Sequence, residues 1–162
     1  MSRVIKICFV CLGNVVRSPL AEHLFKQVAE QAGSSGKYSA DSAGTGAWHV
    51  GEPPDPRMRR VAAAHGLVYD GKARQLRPGD LEKYDFLFVM DQENQTDVKR
   101  MARDQEQFNK IHLLREFDPI SEPGTAVPDP YYGNIYDFEE TYQSIERSIR
   151  GLLQAFESGQ LK

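Results

Sequence analysis

Cysteine is nearly missing from this sequence: Cys8 and Cys11 are the only two in 162 residues. Two thiols three positions apart cannot build a disulfide framework, and no Cys/His cluster has the spacing of a zinc site. That usage fits a reducing compartment, so a cytoplasmic location is expected. Long apolar runs are missing as well. Val4 to Leu12 is short and interrupted by Lys6, and no small-residue cleavage site follows it. Neither a secretory signal nor a membrane span of roughly 20 apolar residues is expected. A basic excess is also lacking, with 20 Lys+Arg against 23 Asp+Glu and a formal net charge of -3. This argues against a nucleic-acid binder. No internal repeat or low-complexity tract is evident.

What remains is an ordinary globular composition, 40% hydrophobic and 27% charged, at a length that suits one domain over residues 1–162. Strand and helix signals alternate. Val4 to Val10 reads as a buried strand. Ser18-Pro19 opens a helix, with Ser18 as its cap, an apolar stripe at Leu20, Leu24, Phe25 and Val28, and Gly33 near its stop. Short strands are expected at Tyr38 to Ser42, Asp85 to Met90 and Ile111 to Leu114. A helix should run from Asp55 to His65, ended by Gly66, and Asp91 should cap a polar surface helix. Arg115 to Asn134 carries Pro119, Pro123, Pro128 and Pro130 and should be irregular; a loop this long is usually functional. Phe138, Tyr142, Ile145, Ile149, Leu152, Leu153 and Phe156 mark the last helix. The pattern predicts an α/β doubly wound domain: a parallel sheet of about four strands, helices on both faces, and ligand at the carboxyl ends of the strands.

Cys11 stands at that place, between the first strand and the first helix. Five residues separate it from Arg17. Such a loop can turn its N–H groups onto one phosphate, aided by the positive end of the helix. Gly13 permits close backbone approach, and Asn14 tolerates the left-handed conformation. Arg17 offers a planar fork to two phosphate oxygens. The same field favours a thiolate at Cys11, to which Ser18 can donate. The plainer alternative is a small buried thiol at a strand end.

The stretch from Cys11 to Pro19 resembles the signature of the low-molecular-weight protein tyrosine phosphatases. Further motifs follow in order: Asp41-Ser42-Ala43-Gly44-Thr45, Trp48-His49-Val50-Gly51, Asp55-Pro56-Arg57, Lys72-Ala73-Arg74-Gln75, Met90-Asp91 and Asp129-Pro130-Tyr131-Tyr132-Gly133. The resemblance implies a flavodoxin-like three-layer fold and hydrolysis of phosphotyrosine through a phosphocysteine on Cys11. Leu12, Gly13, Asn14, Val15, Val16, Arg17 and Ser18 would bind the phosphate, and Ser42 would support the loop. By itself Asp129 reads as a turn aspartate; the resemblance makes it the general acid, then base. Trp48, Tyr131 and Tyr132 would wall the cleft against an aromatic substrate. No metal or cofactor is implied. The expected partners are tyrosine-phosphorylated proteins or peptides, with inorganic phosphate and other oxyanions as product or inhibitors. A monomer or weak dimer is expected.

Two residues depart from the family pattern. Val16 replaces a second cysteine that usually traps the oxidised nucleophile, so peroxide should inactivate with poor recovery by thiols. Cys8 should face away from Cys11 and cannot substitute. Gly71 replaces a histidine that usually bonds the loop asparagine, leaving Asn14 to backbone or water. His65 reads as structural. An arsenate reductase would need further cysteines; a phosphoarginine enzyme usually has Thr where Val15 stands. A phosphopeptide-binding module without catalysis is the rival from another class.

Overall fold

The alternation along the first strand sets up two hydrophobic layers. In β1 (Ile5–Cys11), Ile7, Phe9 and Cys11 join one buried cluster, and Cys8 and Val10 join a second on the opposite face. Side chains of a strand alternate between faces, so a three-residue offset must separate Cys8 from Cys11. The structure is a computed structural model that describes residues 3–122 and 124–161; Pro123, counted among the loop prolines, lies outside them.

Four parallel strands form the sheet in the order β2-β1-β3-β4, with β2 at Tyr38–Gly44, β3 at Phe86–Val89 and β4 at Ile111–Leu113. One face is covered by α1 (Arg17–Gln31), α2 (Pro56–Ala64) and α6 (Ile135–Glu157), which share the first cluster. The other carries the one-turn α3 (Asp80–Lys83) and α4 (Gln92–Met101), whose Leu81 and Val98 enter the second cluster. A further short helix, α5 (Gln105–Phe108), precedes β4. This is the expected three-layer, flavodoxin-like arrangement. The chain leaves β1 for β2 on one side and later crosses to β3 on the other, so the end of β1 is a switch point where ligands bind.

Local chemistry explains the boundaries. Gly33 (φ 73°) ends α1 with Ser34 N–H on Ala29 O and Gly33 N–H on Glu30 O, and Gly66 (φ 90°) ends α2 the same way. Asp55 caps α2 ahead of Pro56, Asp91 caps α4, and Asn134 and Asp137 form a capping box on α6. The seven apolar residues expected along α6 are all buried.

Three details differ from expectation. α1 starts at Arg17, one residue before Ser18, and Val16 at its N-cap makes no side-chain bond. Ser18 is therefore not the cap, because its hydroxyl is engaged with Cys11 and Asn14. Leu114 leaves β4 and begins a 3-10 turn, Leu114–Phe117, where Asp118 is held by Arg115 and Arg147. Part of the proline-rich segment is thus regular. Among the described residues no helix is long and apolar enough to cross a membrane.

Candidate active site

The loop after β1 is held by its outer surface. The carbonyl of Cys11 accepts from Thr45 N–H and that of Leu12 from Gly46 N–H, each at 2.9 Å, and Val15 O accepts from Asp55 N–H at 2.8 Å. In a trans peptide the N–H opposes the preceding carbonyl. Outward carbonyls at Cys11, Leu12 and Val15 therefore turn the N–H groups of Leu12, Gly13 and Val16 toward the concave side. Gly44 makes this contact possible: a Cβ there would lie 2.7 Å from Leu12 O and 3.0 Å from Asn14 N. A Cβ on Gly13 would crowd the His49 ring at 2.9 Å.

Asn14 is the one non-glycine residue with positive φ among those described, at 56°. Its side chain is the internal brace of the loop. Oδ1 accepts from Arg74 N–H at 3.0 Å, and Nδ2 donates to Ser18 Oγ at 2.8 Å and Ser42 Oγ at 3.0 Å. Ser42 in turn donates to Glu22 Oε1 at 2.6 Å. Backbone and serine groups thus hold Asn14 without a histidine. His65 pairs with Glu139 and stacks on Tyr142, away from the loop.

Cys11 Sγ sits at the base of the loop, 3.0 Å from Ser18 Oγ, and accepts the Asn14 N–H at 3.3 Å. Arg17, 2% exposed, donates from Nη1 to Asp91 Oδ2 at 2.8 Å and to Val127 O at 3.0 Å. Its Nη2 lies 3.5 Å from Asp129 Oδ2. Burial pulls the Arg17 pKa down, but the Cys11 sulfur, Asp91 and Asp129 outweigh it and leave the pKa above the ordinary value.

Above them opens a cleft of about 430 Å³, lined by Cys11, Leu12, Gly13, Val15, Val16, Arg17, Trp48, His49, Asp129, Tyr131 and Tyr132. Trp48 (73% exposed) and Tyr132 (97% exposed) stand at its mouth, and the Tyr131 and Tyr132 rings meet edge to face with centroids 5.0 Å apart. The structure thus gathers all three expected catalytic groups and the three aromatic walls. Asn14, Ser18 and Ser42 lie behind the loop rather than in the cleft. His49 lines the cleft, Asp91 holds Arg17 and Arg57 holds Tyr131, none of them assigned a role in the site from sequence; their motifs were visible there, but the partners of these side chains were not.

A family model described as low molecular weight phosphotyrosine protein phosphatase matches residues 6–161. A low molecular weight protein-tyrosine-phosphatase of Streptomyces coelicolor is 42% identical over 151 residues, covering 93% of this chain and 92% of the relative. Among solved structures, a protein tyrosine phosphatase from Entamoeba histolytica with Hepes in the active site superposes with a TM-score of 0.92 at 34% identity, covering 97% and 99% of the two chains. YfkJ from Bacillus subtilis superposes with a TM-score of 0.89 at 37% identity, covering 99% of each.

Proposed function

This chain belongs to the low molecular weight phosphotyrosine protein phosphatase family and is an enzyme of that class, and on that premise we propose that Cys11, Arg17 and Asp129 hydrolyse phosphotyrosine in proteins. The Cys11 thiolate attacks phosphorus, the bond from phosphorus to the tyrosyl oxygen breaks, and Asp129 protonates that oxygen as it leaves. Asp129, now a carboxylate, takes a proton from water as the water attacks phosphocysteine. Phosphate is released and the thiolate restored. The loop N–H groups and Arg17 bear the charge on the non-bridging oxygens in both steps. Asn14 N–H and Ser18 Oγ stabilise the thiolate when it departs. Trp48, Tyr131 and Tyr132 hold the aromatic ring, and Val15 favours phosphotyrosine over phosphoarginine.

The observation that carries this reading is the placement of Asp129 Oδ2 beside Arg17 Nη2, with Cys11 Sγ in the same cleft. Inorganic phosphate and similar oxyanions should compete with substrate for the loop. A cytoplasmic location and a monomer or weak dimer complete the proposal; two free cysteines suit a reducing compartment. Hydrolysis of p-nitrophenyl phosphate tests the assignment. Cys11→Ser should abolish it, and Asp129→Ala should lower kcat by about 10²–10⁴. A wild-type chain that binds phosphotyrosine peptide without turnover would instead make this a binding module.

A further inference from the structure

Asp55-Pro56-Arg57 opens α2 beside the phosphate loop, yet it touches both halves of the site. The Asp55 N–H donates to Val15 O in the phosphate loop at 2.8 Å. The Asp55 carboxylate receives Arg57 as a two-pronged fork, Nη2 to Oδ2 at 2.7 Å and Nε to Oδ1 at 3.1 Å. From its other side, the same guanidinium donates through Nη1 to Tyr131 O at 2.9 Å. Tyr131 N–H donates in turn to Asp129 Oδ1 at 3.1 Å. The guanidinium also lies over the Phe138 ring, 4.5 Å from its centroid, and over Tyr131 at 5.3 Å.

A continuous path therefore joins the phosphate loop to Asp129. Upstream of Asp129 the proline-rich segment is fastened by Val127 N–H to Met90 O, by Arg17 to Val127 O and by Thr141 to Pro128 O. Within residues 130–133 the Arg57 bond is the one hydrogen bond from another element among the described residues, while Asp129 itself lies beside Arg17. Guanidinium geometry suits the task. One planar group satisfies a carboxylate on one edge and a carbonyl on the other, which a lysine ammonium cannot do.

We propose that Arg57 is a positioning residue for the general acid: it fixes the Tyr131 carbonyl, and through it Asp129, against the support of the phosphate loop. The proposal rests on Asp129 being the acid. Its role should then be visible only where a proton is needed by the leaving oxygen.

The test is kcat/KM on two substrates, phenyl phosphate with a poor leaving group and dinitrophenyl phosphate with a good one, in wild type, Arg57→Lys, Asp129→Ala and the double variant. Arg57→Lys should lose about tenfold on phenyl phosphate, a fraction of what general acid catalysis supplies, and little on dinitrophenyl phosphate. In the Asp129→Ala background it should cost nothing further. Inhibition by inorganic phosphate should be unchanged by Arg57→Lys, since the loop is intact. Asp55→Asn, which keeps the cap but weakens the fork, should give the same substrate dependence by a second route. Equal losses on both substrates, no loss on phenyl phosphate, the same loss with or without Asp129, or weakened phosphate inhibition would each overturn the proposal. Full activity of Asp129→Ala on phenyl phosphate would overturn the acid assignment itself.

Discussion

Single residues set the shape of the phosphate loop, and Gly44 shows how little room is left. With Leu12 O 2.7 Å from where its Cβ would be, Gly44→Ala must push the loop outward. A displacement of this kind near reacting atoms costs about a hundredfold in kcat/KM; kinetics on p-nitrophenyl phosphate should show it, with helical circular dichroism unchanged. Oxidation is also decided at this scale. Cys8 is fully buried on the far face, and burial pushes its thiol pKa well above the ordinary range, so it cannot intercept a Cys11 sulfenic acid. Excess peroxide should therefore drive Cys11 on to sulfinic acid, beyond rescue by dithiothreitol. Val16→Cys should divert the sulfenic acid into a disulfide and return most activity; equal loss in both proteins would contradict this. Cys11, Arg17 and Gly13 were legible because their chemistry lies within one short loop. Arg57 was not, because its partner Tyr131 is 74 residues away in sequence.

At the scale of elements, one carboxylate serves two masters. Asp91 Oδ1 accepts Asn94 N–H at 2.7 Å and caps α4, while Oδ2 holds Arg17 at 2.8 Å. The two roles separate by substitution. Asp91→Ala should cost about 1 kcal/mol of stability as the cap is lost. Asp91→Asn should melt near wild type, since asparagine caps equally well, yet both should weaken activity by loosening Arg17. An Asp91→Asn variant with full activity would show that the cap is its only role. The longer elements were readable from apolar periodicity, most clearly along α6. The helices α3 and α5 were not: each has four residues, too few to display a helical period. The Ser18 cap was misplaced for a different reason. A serine at a helix start signals a cap from sequence, but here its hydroxyl serves the sulfur.

At the scale of the whole molecule, an ion cluster outside the residues that line the cleft ties the segment after β4 to α6. Asp118, with no exposed side-chain surface, is held between Arg115 and Arg147, both at 3.1 Å. Burial favours its neutral form, but hydrogen bonds from Arg147, Ile120 N–H and Arg115 outweigh that and hold its pKa below the ordinary value. A carboxylate depressed in the folded state stabilises above its unfolded pKa, about 3.9, and that stability fades as pH falls through the folded value. Asp118→Asn should therefore destabilise by about 3–5 kcal/mol near neutral pH, as Arg115 and Arg147 lose their shared carboxylate, and the gap to wild type should narrow as pH falls below about 3.9. Denaturant melts across pH would read this directly. The parallel sheet and both helical layers followed from the alternation of strand and helix signals. This cluster did not, because Asp118 looks like any loop aspartate until α6 folds back over it. The central claim is that Cys11 carries the phosphoryl group. Asp129→Ala, turning over dinitrophenyl phosphate, should accumulate that intermediate, because the base that hydrolyses it is gone. Rapid quenching into denaturant, followed by phosphorus NMR and peptide mapping, should find one phosphoryl group on the peptide containing Cys11. A phosphoryl group on another residue, or none during active turnover, would contradict the account.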